Sequence, residues 1–191
     1  MPPKPKITKA KILTAVLDMT REDGFESVNA RSIAARLNCS TRPIFTCFEN
    51  MDALKEDFLD FAFAFYTQYA DDYRLRAGQS IELALPLSYI EFAREETNLF
   101  RFLFISHMDL KMTQPTDFYH EPGNLQKAQA FAKAVGIDLP QAKKIFLDLF
   151  LYSHGLAVLT AEQKLSLDKE TSEAMVLNLL TALLKQVKLM V

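Results

Sequence analysis

Apolar residues recur at intervals of three or four positions along most of the chain, and this spacing predicts helices rather than strands. The first segment of this kind contains Ile12, Val16 and Met19. Thr8 precedes it as a predicted cap, and Gly24 follows it, where a left-handed residue would end the helix. The pattern continues towards the C-terminus with few glycines, so we predict an all-α protein.

A second short helix and a tight turn are predicted next. Asn29 is the predicted cap of this helix, whose apolar stripe includes Ile33 and Leu37. Asparagine tolerates the left-handed backbone conformation, so Asn38 is expected to end the helix. The sequence therefore predicts a turn from Asn38 to Ser40.

Ser40 is predicted to cap a third helix, which should start at Thr41 with Pro43 in its first turn. Ile44 and Phe48 share one face of this helix at a spacing of four, which leaves a polar face on the outside. Two short helices joined by a turn indicate a helix-turn-helix. An ordinary helical hairpin fits the same spacing.

A long helix is predicted over 52–76, where Leu54, Phe58 and Phe61 lie three or four positions apart. We expect residues 1–50 to form a three-helix head and residues 51–191 to form a second, helical domain. The long helix would then touch the head and continue into the second domain. Further helices are predicted over 81–94, 98–108 and 125–135, and from Asp138 and Asp168 onwards, with a loop over 112–124.

The last two predicted helices carry more apolar residues than a single core can cover. Their surplus stripes indicate that two copies of the chain pair through a four-helix interface, so we predict a homodimer. A glycine in the first of these helices would let a neighbouring backbone approach closely. The predicted interface residues are Phe146, Phe150, Gly155, Val176, Leu180, Leu183, Leu184 and Val187.

Charge is distributed unevenly along the 191 residues, although the net charge is only −2. Residues 1–48 hold 8 Lys or Arg against 4 Asp or Glu, whereas residues 49–191 hold 14 against 20. A basic head on an acidic body suits a polyanionic partner at the head.

Neither the cysteines nor the hydropathy pattern suggests an extracellular or membrane protein. Two cysteines eight positions apart indicate neither a zinc site nor a disulfide framework. The basic N-terminus lacks the apolar stretch of a signal peptide, and no uncharged apolar run approaches the roughly 18 residues of a membrane span. We therefore expect a cytoplasmic protein without a membrane partner.

Residues in the first quarter of the chain resemble a known family. The resemblance is carried by Ile12, Ala15, Leu17, Asp23-Gly24-Phe25, Ile33-Ala34, Cys39-Ser40, Ile44-Phe45, Phe48 and Leu54. This pattern is similar to the N-terminal domain of tetracycline-repressor-like (TetR/AcrR) transcriptional regulators. The resemblance implies a DNA-binding head with a helix-turn-helix, a ligand-binding and dimerisation domain, and a repressor released from its double-stranded operator by a small effector.

The predicted DNA contacts lie on or beside the helix-turn-helix, and Arg42 is expected to make a bidentate contact to guanine in the major groove. Two residues depart from the family pattern. Members usually carry Tyr where this chain has Phe45 and Lys where it has Met51, and neither replacement can donate to a phosphate. The predicted DNA-binding residues are Asn29, Arg31, Ser40, Thr41, Arg42, Phe45, Thr46 and Lys55.

The resemblance also implies an effector site among the aromatic residues that follow the head. We expect a small apolar or aromatic ligand there, and neither a cofactor nor a metal. The predicted ligand-binding residues are Phe65, Tyr66, Tyr69, Phe100, Phe104, His107 and Phe150.

Two other functional classes remain open at the level of sequence. An enzyme would use His107 and Asp109 with His120 and Glu121 as an acid/base or metal cluster, but this spacing fits no standard ligand motif. A helical interaction protein of the same fold that has lost operator binding is favoured by Phe45 and Met51. We predict a regulator and no catalytic activity.

Overall fold

The computed structural model describes residues 7–78, 80–108, 110–121 and 123–189, and all regular secondary structure within them is helical. The all-α prediction is therefore confirmed. The α-helices are α1 (Lys9–Asp23), α2 (Ala30–Arg36), α3 (Arg42–Cys47), α4 (Met51–Ala77), α5 (Ile81–Glu95), α6 (Thr97–Phe100), α7 (Asn124–Val135), α8 (Leu139–Ala161) and α9 (Lys169–Leu189). Two 3-10 helices cover Phe25–Ser27 and Pro115–His120, and a π-helical segment covers Arg101–Ser106.

The predicted helix caps at Thr8 and Asn29 are confirmed. The Lys11 N–H donates to Thr8 Oγ1 over 3.3 Å, and Asn29 Oδ1 accepts from the N–H groups of Arg31 and Ser32, both at 3.0 Å. Ser32 Oγ accepts in return from the Asn29 N–H at 2.9 Å, which completes a capping box. These side chains satisfy N–H groups that have no partner inside the helix.

Later helix ends follow the same local rules. Asp138 and Asp168 cap α8 and α9, accepting from the third residue beyond them at 2.8 and 2.7 Å. Gly136 ends α7 with φ +72°, and Asn38 adopts φ +49° in the turn after α2. The left-handed conformation that the sequence predicted at Asn38 is therefore confirmed.

The predicted start of α3 is wrong by one residue, and Ser40 does not cap it. Thr41 occupies the cap position, but its backbone is already helical at φ −71° and ψ −15°, and its side chain makes no capping hydrogen bond. A capping side chain requires an extended backbone that points it back at the helix. The carbonyl of Thr41 instead accepts from the Ile44 N–H at 3.1 Å.

Two further segments differ from the predicted elements. The helix expected over 98–108 is a single α-turn followed by the π-helical Arg101–Ser106, because apolar periodicity over one or two turns does not distinguish these hydrogen-bond patterns. The loop expected over 112–124 contains a 3-10 helix. Its start is held by Asp117 Oδ2, which accepts from the N–H groups of Thr113 and Gln114 at 2.8 and 3.0 Å. These bonds lower the pKa of the Asp117 carboxyl to about 2.

The chain divides into two compact units. The first unit comprises Met1–Thr67 and Glu96–His107, and the second comprises Gln68–Glu95 and Met108–Val191. The division falls within α4, between Thr67 and Gln68. A segment distant in sequence, Glu96–His107, thus joins the N-terminal helices.

An aromatic cluster and an ion pair explain why this distant segment belongs to the first unit. The ring of Phe102 lies 4.5 Å from that of Phe25 and 5.1 Å from that of Phe58. Arg21 of α1 donates Nε and Nη2 to the Glu96 carboxylate over 2.7 and 2.5 Å. Asn98 Nδ2 donates to the carbonyl of Arg21 at 3.1 Å. We call the rings of Phe25, Phe58 and Phe102 the head aromatic cluster.

In the second unit α8 packs against α5, α7 and α9. Phe118 is 2 % exposed, and its ring centroid lies 4.7 Å from that of Phe150. Arg94 of α5 forms an ion pair with Glu91, and its Nη2 donates to the carbonyl of Leu167 at 3.0 Å. This arginine therefore ties α5 to the segment that precedes α9.

By length and composition α8 could cross a membrane, and it is the one such helix in the described ranges. Its mean hydropathy reaches 1.3, and 39 % of that window is buried. A buried core helix of a water-soluble protein meets the same criteria.

Candidate nucleic-acid interface

The helices α2 and α3 are held in place by the apolar residues on their inner faces. Ile33 and Ile44 are fully buried, and Phe48, directly after α3, is 4 % exposed. Both helices contact α1. The Lys9 ammonium of α1 lies 5.4 Å from the centre of the Phe48 ring and 2.6 Å from the Asp57 carboxylate. This packing leaves the other side of α3 in solvent.

The outer face of α3 presents Arg42, Phe45 and Thr46, all of which are exposed. They occupy positions i, i+3 and i+4, which lie on one face of a helix. Thr46 Oγ1 donates to the carbonyl of Arg42 at 2.9 Å, so its hydroxyl hydrogen is used within the helix and its oxygen remains an acceptor. We call these three residues the α3 face.

The segment around the α3 face is basic. Residues 27–48 contain three arginines and no aspartate or glutamate. Arg36 pairs with Glu22 at 2.5 Å. Arg31 and Arg42 are exposed and form no ion pair with any residue that the structure describes. Arg31 in α2 and Arg42 in α3 therefore carry positive charges that are accessible to solvent, which favours a polyanionic partner.

Among the other predicted DNA contacts, Asn29 already uses its side chain in hydrogen bonds within the protein. Its Oδ1 caps α2, and its Nδ2 donates to the carbonyl of Ser27 at 3.3 Å. A base contact by this side chain would break the cap. Ser40 is exposed, and Thr41 and Lys55 are partly exposed, so these three side chains keep accessible polar atoms.

The residues predicted to bind an effector fall into both units. Phe65, Tyr66, Phe100, Phe104 and His107 lie in the first unit, whereas Tyr69 and Phe150 lie in the second. In the first unit, the ring of Phe104 lies 4.9 Å from that of Tyr66 and 5.3 Å from that of Phe100. Phe65 packs instead under the Arg21 guanidinium, 5.5 Å from its ring centre.

The two residues in the second unit have separate neighbours. Tyr69 packs on Phe92 with ring centres 5.1 Å apart, and its hydroxyl donates to Glu95 over 2.7 Å. Partial burial is the main cause that raises the pKa of the Tyr69 hydroxyl, and the neighbouring Glu95 carboxylate raises this pKa further. Phe150 lies beside Phe118 and His154. These contacts leave the effector site a prediction.

The second unit also contains a histidine, His154, that forms a hydrogen bond with a tyrosine hydroxyl. His154 Nδ1 lies 2.9 Å from the Tyr89 hydroxyl, and burial lowers the pKa of this imidazole. His154 is therefore mostly neutral at pH 7.

One buried side-chain atom of the described residues, Ser153 Oγ, has no hydrogen-bond partner.

The residues considered for an enzyme were His107, Asp109, His120 and Glu121. No group of three or more His, Cys, Asp or Glu that could hold a metal ion occurs among the described residues, and Asp109 lies outside them. His107 Nδ1 donates to the carbonyl of Phe102 at 2.6 Å, and its ring packs 4.4 Å from that of Phe102. This histidine therefore closes the π-helical segment.

Two predicted dimer residues, Val176 and Leu180, are core residues of a single chain, and two others, Phe146 and Phe150, are partly buried. Val176 is fully buried and Leu180 is 4 % exposed, so neither has side-chain surface left to bury against a second copy. Phe146 packs 6.2 Å from Phe118, and Phe150 packs on the same ring. Periodicity marks the apolar faces of a helix but not which face its own chain covers.

Other predicted dimer residues keep accessible surface. Gly155 is exposed, and an added Cβ there would meet nothing within 4 Å; Leu183, Leu184 and Val187 are half-buried. Three exposed leucines were not among the predicted interface residues: Leu151 at 51 %, Leu159 at 45 % and Leu177 at 45 %. The spacing of four between 151, 155 and 159 was the signal for one continuous stripe on α8.

Comparison with known proteins adds no family assignment. No protein-family model matches the chain, and no curated protein sequence matches it significantly.

Proposed function

We propose that this chain is a DNA-binding transcriptional regulator of the TetR/AcrR type, in which α2 and α3 form a helix-turn-helix that reads the major groove. One observation carries the proposal. The α3 face is exposed and contains Arg42 without an acidic partner among the described residues, within a segment free of acidic residues, while Ile44 anchors the opposite side of the helix. A short helix held this way presents side chains to a groove without having to refold.

The side chains of this region match the chemistry of a DNA duplex. A guanidinium can donate two hydrogen bonds to O6 and N7 of guanine, which suits Arg42 on the α3 face. Arg31, exposed in the first turn of α2, suits a phosphate contact that positions the protein without reading sequence. Lys55 in α4 and Ser40 in the turn could contribute further phosphate contacts.

The proposal includes a homodimer formed through α8 and α9. Exposed Leu151 and Leu159 on α8 flank the open position of Gly155, and exposed Leu177 lies on α9, which packs beside α8. A symmetric interface would bury this apolar surface once from each copy. Two such heads would read half-sites about 34 Å or somewhat more apart along the duplex.

The proposal further includes a small apolar or aromatic effector that acts on the first unit. The Phe104 ring packs against Phe63 and Tyr66 of α4, and the same π-helical segment contributes Phe102 to the head aromatic cluster. A ligand that displaces Phe104 would therefore shift a segment in contact with the helices of the head. Such a ligand can act only through a difference in affinity for the two arrangements.

We expect Arg42→Ala to lose most of the preference for a specific site. A bidentate guanine contact contributes about 5- to 150-fold of discrimination between the right and the wrong base. A duplex would first be selected from a random library with the wild-type chain. Binding of this duplex and of a scrambled duplex would then be compared by gel shift at one salt concentration.

The matched control is Arg36→Ala, which removes an exposed arginine that is paired with Glu22 and lies outside the α3 face. This control should keep the wild-type ratio of specific to scrambled binding. If Arg42→Ala also keeps that ratio, the α3 face does not read the bases. If the wild-type chain selects no DNA, the helical interaction protein becomes the better candidate, because exposed Phe45 would suit a protein partner.

Effector and operator should weaken each other's binding by the same factor, about 5- to 150-fold, because linkage between two sites is reciprocal. An aromatic compound found by screening would be titrated calorimetrically into the chain with and without saturating selected duplex. Phe104→Leu should lower the affinity for the compound while leaving DNA binding without the compound nearly unchanged. Equal affinities in the two titrations would exclude this coupling.

A further inference from the structure

Phe45 differs from the other large apolar residues around α3 in its exposure. Its side chain is 50 % exposed, whereas Ile44 beside it is fully buried and Phe48 is 4 % exposed. Its ring contacts no aromatic or cationic group within the described part of the chain. A single exposed apolar residue is ordinary in itself. Phe45, however, lies on the α3 face, which is the surface proposed to enter the major groove.

The neighbours of Phe45 on the α3 face are polar or cationic. Arg42 lies one turn before it and Thr46 directly after it, and residues 27–48 carry no acidic group. Positive charge around an apolar ring suits a partner that combines negative charge with a small apolar group. Duplex DNA offers both in its major groove, where phosphates line the edges and each thymine presents a 5-methyl group.

The phenyl ring of Phe45 is suited to contact the edge of a base rather than a phosphate. A phenyl ring has neither a donor nor an acceptor, so it cannot form the phosphate hydrogen bond that a tyrosine hydroxyl would form. Of the four bases, only thymine carries a methyl group in the major groove, and phenylalanine is one of the side chains that contact it. Phe45 therefore has one base for which contact is favourable.

We propose that Phe45 is a specificity-determining residue that recognises the 5-methyl group of a thymine beside the guanine read by Arg42. This inference rests on the proposed function. Side chains three positions apart on a helix have Cβ atoms about 5–6 Å apart. Successive base pairs are about 3.4 Å apart, so the thymine lies within about two steps of the guanine.

The test replaces thymine by deoxyuridine at each thymine position of the selected duplex, one position at a time in both half-sites. Deoxyuridine pairs as thymine does and lacks only the methyl group. One position within about two steps of the Arg42-dependent guanine should bind the wild-type chain about fourfold more weakly per half-site, the factor expected for exposing one methyl group. The other positions should bind as the original duplex does.

Variants of the full-length chain assign this effect to one side chain. Phe45→Ala should bind the thymine and deoxyuridine duplexes equally, and Phe45→Leu, which keeps an apolar side chain, should retain part of the preference. Arg31→Ala is the matched control, because it should weaken binding to both duplexes and leave their ratio at the wild-type value. Circular dichroism should show wild-type helix content for both Phe45 variants, since the side chain is half exposed.

The inference is overturned if no thymine near the guanine shows the effect, or if Phe45→Ala keeps it. Loss of site preference in Arg42→Ala would in either case leave the proposed function standing. If the wild-type chain selects no sequence at all, the proposed function fails and this inference fails with it. The two failures are therefore distinguishable.

Discussion

Phe58→Ala should lower the free energy of unfolding of the first unit by about 3–5 kcal/mol. Phe58 is fully buried in α4, and its ring lies 5.5 Å from Phe25 in a stacked arrangement and 5.1 Å from Phe102. Alanine would remove one of the three rings of the head aromatic cluster and leave a cavity. It would also weaken the contact between the N-terminal helices and the π-helical segment. Urea unfolding followed by circular dichroism would measure the loss.

Phe63→Ala provides the matched control for this substitution. It removes the same side chain from the same helix, but Phe63 is 38 % exposed and its ring meets Phe104 only at an edge, 5.7 Å between centroids. Its expected loss is smaller than that of Phe58→Ala, because less of its apolar surface is buried and its removal at the surface leaves no enclosed cavity. Comparable losses in the two variants would contradict the assignment of Phe58 to the core of this unit.

Leu180→Glu should destabilise the folded chain by about 3–5 kcal/mol, whereas Leu177→Glu should leave the isolated chain folded and separate the proposed dimer. Leu180 is 4 % exposed, so its replacement places an unpaired carboxylate in the core of the second unit. Leu177 lies one turn earlier in α9 and is 45 % exposed. A carboxylate there stays solvated in a monomer but is buried from both copies in the proposed symmetric interface.

Sedimentation and unfolding measurements separate these two outcomes. Leu177→Glu should sediment as a folded monomer at concentrations where the wild-type chain is a dimer. Leu180→Glu should lose helix content at urea concentrations that leave Leu177→Glu folded. A Leu177→Glu variant that remains a dimer would move the interface away from this face of α9, and a fully stable Leu180→Glu variant would contradict the packing of the second unit.

The local features of this protein follow from residues within about four positions of one another. Thr8 and Asn29 cap helices because their oxygens reach N–H groups two or three residues ahead, and Asn38 turns the chain because its side chain tolerates a positive φ. The helical character of the chain, most helix bounds and the separation of α2 from α3 were therefore predictable from the sequence. The family resemblance supplied the interpretation of α3 as a DNA-reading helix, which remains a proposal.

Long-range packing decided the remaining features, because apolar periodicity reports which residues share a face and not what covers that face. Ile44, Phe45 and Phe48 are all apolar, yet only Phe45 stays exposed, since α1 packs on the other side of α3. Leu177 and Leu180 likewise differ only in what the folded chain places over them. The π-helical segment joined the first unit through contacts between residues more than 40 positions apart in sequence. The sequence by itself thus determined most of the helices and their ends, and the tertiary structure decided which of their apolar faces remain available to a partner.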